Sequence, residues 1–394
     1  MSSGFNQNPH KLLVIPGPIE VSNDVLLANA SASVSHVSAD FVKIFQQTLM
    51  LLLRLLYTSP EANSQAFVVS GSGTLGWDMV ATNLIETGER ALVLNNGYFG
   101  DSFKDCLEIY GAKVDTIQAE LGHTVTPEQL EQHLKQTNGS AYKLITITHC
   151  DTSTGVLANV QGLAEIIKRV APKTLVILDS VCSVASEEIK FDDWGLDVVL
   201  SASQKGLGTP PGLCIIVASN RAIKTFESRR SPAGSYYASW KNWLPIMRAY
   251  QNGSPAYFAT PPTNLITALH QSLSIILKTP SLSLEERFER HKQASHQVKE
   301  AVKRLGLKQL PVNEKSSANG MTAVYLPEGI KPGDVVGKML TKDLVIAGGL
   351  HKACKDRYIR IGHMGLTAVD HQRGDIALIV KGLTETFSEL RASL

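Results

Sequence analysis

Lys205 stands in the run Ser-Ala-Ser-Gln-Lys-Gly-Leu-Gly-Thr-Pro-Pro-Gly, residues 201–212, just after the apolar stretch Val198-Val199-Leu200. A lysine delivered by a buried strand into a tight Gly/Pro loop reaches bulk water with difficulty, so its ammonium is a candidate for a lowered pKa. Such an amine is a nucleophile for carbonyls, and its natural use is a Schiff base with an aldehyde, from a substrate or from a cofactor. Asp179 closes the apolar run Leu175-Val176-Ile177-Leu178 and precedes Ser180. That places a carboxylate at the carboxyl edge of a buried strand, where open α/β sheets bind ligands. It would stay ionised facing a cation such as a protonated pyridine nitrogen. A helix N-cap is the plainer use of the same residue.

The run Ser70-Gly71-Ser72-Gly73-Thr74 follows a strand and opens a helix. Amides and hydroxyls at the positive end of a helix dipole suit an anion, a phosphate above all. The same turn can be purely structural, and a nucleotide is another ligand for it, although both the Gly-x-Gly-x-x-Gly spacing and a Walker lysine are missing. Phe99, in Asn95-Asn96-Gly97-Tyr98-Phe99-Gly100, offers a ring to stack on a planar ligand or simply fills core. Thr152 and Ser153, in His149-Cys150-Asp151-Thr152-Ser153-Thr154-Gly155, offer hydroxyls to a ring hydroxyl or cap a loop. Arg360 lies between Ile359 and Ile361 on a short strand and faces away from both. Its planar fork suits a bidentate grip on an α-carboxylate, with a surface ion pair as the alternative. His36, alone in Ser35-His36-Val37-Ser38, reads as structural.

These groups need a scaffold to bring them together. Residues 67–69, 91–94, 114–117, 144–148, 175–178, 198–200 and 214–217 are β-branched or aliphatic runs that predict strands. Between them, 76–86, 100–110, 127–136 and 160–170 predict helices. Continuous apolar strands separated by helices mean an α/β fold, with a mostly parallel seven-stranded sheet between helices. Asp40 to Tyr57 carries Phe41, Ile44, Phe45, Leu49, Leu52 and Leu56 at helical spacing and must pack on the core or on a partner subunit. Pro16-Gly17-Pro18 forces an extended entry, so residues 1–20 read as an arm and 21–263 as the large domain. Residues 264–394 read as a smaller C-terminal α+β domain, with long helices from 263 to 306 as its connection.

Composition narrows the function classes. The 394 residues, 43% hydrophobic and 19% charged, suit two globular domains, and a net charge of +2 with no basic run argues against nucleic acid. Cys106, Cys150, Cys182, Cys214 and Cys354 are too scattered for a disulfide framework or a zinc site and fit a reducing compartment. No export signal or membrane span is read, the run Leu49 to Tyr57 being short and broken by Arg54. A cytoplasmic location is expected. The ending Ala392-Ser393-Leu394 keeps only the leucine of a peroxisomal address and leaves peroxisomal or mitochondrial placement open.

Taken in order, Ser-Gly-Ser-Gly-Thr, Val-Ile-Leu-Asp-Ser-Val, Ser-Ala-Ser-Gln-Lys-Gly, Pro-Pro-Gly, Tyr257-Phe258-Ala259-Thr260-Pro261-Pro262 and Ile359-Arg360-Ile361-Gly362 carry a resemblance. The chain resembles the alanine–glyoxylate (serine–pyruvate) aminotransferases, class V aminotransferases of fold type I, and is most similar to the fungal alanine–glyoxylate enzymes. The resemblance runs from Pro16 past Arg360 and implies pyridoxal 5′-phosphate, held as a Schiff base by Lys205 with Asp179 on its pyridine nitrogen. It implies that Ser72, Gly73, Thr74 and Gln204 hold the phosphate and that Thr152 meets the ring hydroxyl. Phe99 takes the stacking position that is tryptophan in animal relatives, and Thr74 replaces a histidine of some relatives. Tyr257 and Thr260 match positions that reach the phosphate of a neighbouring subunit, so a homodimer completes each site. Arg360 matches the carboxylate-binding arginine, with Gly17 also at the substrate and Gly348-Gly349 close by.

The implied reaction moves the amino group of alanine to glyoxylate, giving pyruvate and glycine by a ping-pong route in which Lys205 shuttles the proton. Serine is a further donor, and the substrates are small amino and 2-oxo acids. Two alternatives stay open at this point. A cysteine desulfurase needs a mobile nucleophilic cysteine, and Cys354 in Lys352-Ala353-Cys354-Lys355 lacks a flexible Ser/Gly loop. A non-catalytic nucleotide-binding scaffold would use Ser70 to Thr74 as its pocket.

Overall fold

A computed structural model describes residues 5–137, 141–280 and 282–392. The arm holds β1 (Leu12–Leu13) and leads to α1 (Asn23–Asn29) and α2 (Ala39–Leu55). Then come β2 (Gln65–Ser70), α3 (Gly73–Leu84), β3 (Arg90–Asn95), α4 (Tyr98–Ile109), β4 (Lys113–Gln118), α5 (Pro127–Gln136) and β5 (Tyr142–Thr148). A small hairpin, β6 (Cys150–Asp151) with β7 (Val156–Leu157), precedes α6 (Val160–Val170), β8 (Leu175–Asp179) and α7 (Phe191–Trp194). Next are β9 (Val198–Ala202), β10 (Leu213–Ala218), α8 (Asn220–Glu227), α9 (Trp240–Gln251), α10 (Thr263–Lys278) and α11 (Leu284–Arg304). The chain closes with β11 (Met321–Tyr325), α12 (Pro332–Leu340), β12 (Leu344–Val345), β13 (Ala347–Gly348), β14 (Tyr358–Gly362), α13 (Leu366–Val369) and α14 (Asp375–Ala392).

The seven expected strands form one sheet in the order β2-β10-β9-β8-β5-β3-β4. All neighbours are parallel except β10, which runs antiparallel to both β2 and β9. The reversal follows from chain length: residues 203–212 between β9 and β10 are too few for a crossover, so the chain must return antiparallel. Those residues carry Lys205. The carboxyl ends of β2, β3, β5, β8 and β9 therefore share one edge.

Helix ends follow local chemistry. Thr126 Oγ1 accepts from Gln129 N (3.2 Å) and Gln129 Oε1 accepts from Thr126 N (2.9 Å), with Pro127 in the first turn of α5. Ser38 caps α2, which buries Phe41, Phe45, Leu49 and Leu52. Burial of side chains this size contributes about 1.5–3 kcal/mol each. The helix ends at Leu55 rather than at Tyr57, because Tyr57 takes a left-handed φ of 55° that turns the chain.

At the opposite edge of the sheet, Asp197 is buried and accepts from Val176 N (2.8 Å), Ser219 Oγ (2.9 Å) and Arg221 Nε (2.7 Å). It binds the starts of β8, β9 and α8 into one unit. Asp197→Ala strands these donors, Arg221 among them, and is expected to cost about 3 kcal/mol of stability, read as a lower urea midpoint.

Two cores divide the molecule. The larger surrounds the sheet and includes Ile266, Leu269, Leu273 and Ile276 of α10 and Phe288 of α11. The smaller gathers Ala294, Val298 and Val302 of α11 with β14, α12 and α14, and takes in Val14 of the arm. The division expected at 264 thus meets a changeover of cores within α11, since α10 lays its buried face on the large core beside α1 and α2. The arm is equally shared: β1 pairs in parallel with β12, and Gly362 N donates to Val14 O at 2.7 Å. Among the described residues no helix is long and apolar enough to cross a membrane, and no cluster of metal-ligating side chains occurs. Ser393 and Leu394 of the C-terminal address lie outside the described residues, as do Met1 to Gly4 of the arm.

Candidate active site

The shared strand edge opens into a cavity of about 150 Å³ whose wall includes Asp179, Lys205 and Gln204. Asp179 ends β8 with its carboxylate buried; Trp77 Nε1 donates to Oδ2 (2.8 Å) and Val181 N donates to Oδ1 (3.0 Å). Burial outweighs these donors and raises the carboxyl to about 6, while Lys205 pulls it back down. A cation placed against it would restore the carboxylate.

Lys205 follows β9 into the short return and is buried. Its Nζ donates to the carbonyl of Pro16 at 2.6 Å, and Ile19 N donates to Gln204 O at 3.2 Å, so the arm closes over the lysine loop. Burial lowers the pKa of this amine, and the nearby Arg360 acts in the same direction. Gly17 makes the approach feasible: at its φ of +105° a Cβ would lie 2.2 Å from Lys205 Cδ and 2.6 Å from Nζ. Gly17→Ala is expected to displace the lysine and lower kcat about 10²-fold, the cost of an ångström-scale misplacement. Gly88→Ala is the control, because Gly88 has a φ of +85° with nothing within 4 Å. It should lose about 1–3 kcal/mol of stability to strain with kcat unchanged. Equal kcat losses in both variants would remove the Gly17–Lys205 contact from the mechanism.

At one end of the cavity, Ser72 precedes the first turn of α3 with its hydroxyl uncommitted to capping. Gly73 and Thr74 line the same end, and Gly73 is held so near Val181 that a Cβ would meet its Cγ2 at 2.8 Å. Gln204 Oε1 is buried without a partner among the described residues, so nothing holds the amide in this sense and a half-turn would present its NH2 to an anion in the cavity. Phe99 and Thr152 complete the walls. Phe99 N donates to Asp151 Oδ2 at 3.1 Å, and the buried Asp151 also accepts from Ser153 N (2.9 Å) and Ser153 Oγ (2.5 Å), tying the two wall segments together.

Arg360 projects from β14 toward this wall, with Nε donating to Gly348 O (2.8 Å) and Nη1 to Thr152 O (3.3 Å). Burial lowers its pKa. Among the described residues no carboxylate pairs with it; Arg360 does not line the cavity itself, but its charge is felt at Lys205. Tyr257 and Thr260 are exposed, with Tyr257 Oη 3.5 Å from Thr260 Oγ1, and neither lines this cavity. His36 packs its ring 5.2 Å from that of Tyr257, also away from the cavity. Cys354 is buried in a satellite cluster with Tyr358, not on the cavity wall.

Sequence reasoning missed Trp77, Asp151, Cys150 and Cys182. Trp77 lies one helical turn after Gly73, on the inward side of α3, a spacing that could have exposed it. The two cysteines lie just past the ends of β5 and β8, the same edge that singled out Asp179.

A buried amine and a buried carboxylate share one cavity wall, with a helix N-terminus on the same wall and a guanidinium beside it, a set of groups suited to an anionic ligand that carries a carbonyl. The chain belongs to the aminotransferase class-V family, whose model matches residues 22–367. It is 40% identical over 365 residues to alanine–glyoxylate aminotransferase 1 of Saccharomyces cerevisiae, covering 90% of this chain and 92% of that protein. It is 29% identical to the L-aspartate–glyoxylate aminotransferase of Paracoccus denitrificans, over 91% of this chain and 87% of the relative. The crystal structure of an alanine–glyoxylate aminotransferase from Nostoc sp. superposes with a TM-score of 0.86 at 26% identity, covering 98% of this chain and 97% of the other. The protein is an aminotransferase.

Proposed function

We propose that this aminotransferase uses pyridoxal 5′-phosphate to move the amino group of alanine to glyoxylate, giving pyruvate and glycine, and accepts serine as a further donor. The observation that carries the reading is the meeting of Lys205 and Asp179 in one cavity that also holds the uncapped Ser72 hydroxyl, the start of α3 and the side chain of Gln204. The donor set fits the cofactor: an anion for the ring nitrogen, an amine for the aldehyde, and a helix N-terminus for the phosphate. When bound, the cofactor supplies an electron sink for negative charge developing at the substrate Cα.

The chain does the rest. Asp179 holds the ring nitrogen protonated; Ser72, Gly73, Thr74 and Gln204 hold the phosphate; Phe99 covers a ring face and Thr152 meets the ring hydroxyl. Arg360 grips the substrate α-carboxylate with its remaining donors, fixing Cα beside Lys205. Lys205 Nζ, desolvated and so more readily neutral than an ordinary lysine, takes the Cα proton as general base and hands it on within the site. Among the described residues no arginine lines the cavity itself and Arg360 stands beside it, so nothing on the wall is dedicated to a second carboxylate, which favours alanine and serine over dicarboxylic donors. The exposed Tyr257 and Thr260 complete the site of a second subunit in a homodimer, consistent with their absence from the cavity of their own chain. A desulfurase has no support here, because Cys354 is buried away from Lys205.

The test is to load the enzyme with cofactor and add alanine, serine, aspartate, glutamate and kynurenine separately, following the visible absorption. Alanine and serine should bleach the band of the lysine-bound cofactor, and glyoxylate should restore it. Bleaching by aspartate alone, or by none of the donors, overturns the proposed specificity.

A further inference from the structure

Cys150 and Cys182 have no part in that reaction, yet both form part of the cavity wall beside Asp179 and Lys205. The fold puts them there. Thr148 and Asp179 are Cα partners that end β5 and β8, and the chain continues from the first into β6, which carries Cys150, and from the second into the loop that carries Cys182. Both cysteines are reduced, each is 3% exposed, and both pack in one small cluster of buried side chains. The neighbouring Cys150 thiol holds Cys182 below the ordinary thiol range, with the Lys205 charge assisting, whereas Cys150 is pushed up. The other three cysteines are different: Cys106, Cys214 and Cys354 lie off the cavity, and burial raises each thiol.

We propose that Cys150 and Cys182 are a dithiol modification site, converted to a disulfide by a small hydroperoxide that enters the cofactor cavity. The Cys182 thiolate attacks one peroxide oxygen of hydrogen peroxide, the O–O bond breaks, and the departing hydroxide takes a proton and leaves as water. The Cys150 sulfur then attacks the sulfur of the Cys182 sulfenic acid, the S–OH bond breaks, and a second water departs with the Cys150 proton. The two thiols together lose two electrons and the peroxide gains them. Lys205 favours the thiolate that starts the sequence.

Access is through the cavity, and any route wide enough for pyridoxal phosphate admits hydrogen peroxide. Asp179 and Lys205, which would hold the cofactor, share one cavity wall with both thiols, so bound cofactor would shield the pair and slow its oxidation. This protection rests on the proposed cofactor; the dithiol itself does not. The disulfide then joins the loops after β5 and β8 across the cavity wall, and an added dithiol reductant reverses it.

The experiment treats the full chain with hydrogen peroxide, cofactor-free and cofactor-loaded, then blocks remaining thiols and maps the peptides by mass spectrometry. The cofactor-free protein should give a Cys150–Cys182 cross-link. Cys150→Ser should instead accumulate a sulfenic acid at Cys182 that dimedone captures, and Cys182→Ser should give neither product. Loading at about a hundred times the dissociation constant should slow cross-linking about a hundredfold, in proportion to the cofactor-free fraction. A cofactor-free protein that oxidises at Cys106 without the cross-link overturns the proposal. So does an unchanged cross-linking rate in protein whose visible band proves that cofactor is bound. If the band never forms, the cofactor reading fails, and the cross-link in untreated-with-cofactor protein still decides the dithiol.

Discussion

Lys205→Ala should fold, bind cofactor without a covalent link and turn over about 10⁴-fold more slowly. The fold should tolerate the change because the amine contributes little to it: burial of the ammonium is a cost, and its short bond is to one backbone carbonyl, that of Pro16. The cofactor should still be retained, since the cradle at the start of α3 and Asp179 are untouched. Turnover should collapse because no other basic side chain on the cavity wall can take the Cα proton; Arg360 keeps its proton at any working pH. Three measurements separate these statements: the melting temperature, the cofactor retained after gel filtration, and single-turnover absorbance with alanine. Full turnover in the variant would remove the lysine from the mechanism.

Asp179→Asn should lower turnover about 10³-fold by removing the charge that keeps the ring nitrogen protonated. Its effect on the stability of the cofactor-free protein should change with pH. The folded carboxyl sits at about 6, above the ordinary value of 3.8, because burial disfavours its charge. As pH rises, the unfolded chain loses this proton first. Stability therefore falls between about pH 4 and pH 6, and the loss, about 3 kcal/mol by linkage, stays constant at higher pH. The asparagine has no such titration, although it turns an amide NH2 toward either Trp77 Nε1 or Val181 N, which costs about 1–3 kcal/mol at every pH. The decisive readout is thus the slope. Melting temperatures of the cofactor-free wild type should fall relative to the variant from pH 4 to pH 6 and then run parallel. Parallel curves throughout would mean that the Asp179 carboxyl is not held in a desolvated state.

The sheet and the two central residues were legible because they rest on local signals. Continuous apolar runs announce strands buried on both faces, and a charged residue closing such a run announces the ligand edge; Asp179 and Lys205 both sit there. Contacts that span the chain left no such mark. Trp77 reaches Asp179 across 102 residues, and nothing near Trp77 in sequence distinguishes it from an ordinary core aromatic. The allegiance of α10 was hidden for a related reason: an apolar stripe says that a helix face is buried, not which core buries it. Cys150 and Cys182 looked scattered because spacing along the chain says little about two loops that adjacent parallel strands bring together. Tyr257 and Thr260 rest on resemblance alone: both are exposed and off the cavity of their own chain, and a role in a neighbouring subunit would leave no signature within one sequence.

The arm has a practical bearing on how this protein can be handled. Its strand β1 edges the small core, Val14 O is fastened to the end of the strand that carries Arg360, and Pro16 O seats the lysine. Residues 12–16 are thus a single cord knotted both to the strand that carries Arg360 and to Lys205. Trimming the amino terminus into this stretch, a routine first step in engineering an expression variant, would here cut the cord and loosen the arginine strand and the lysine together.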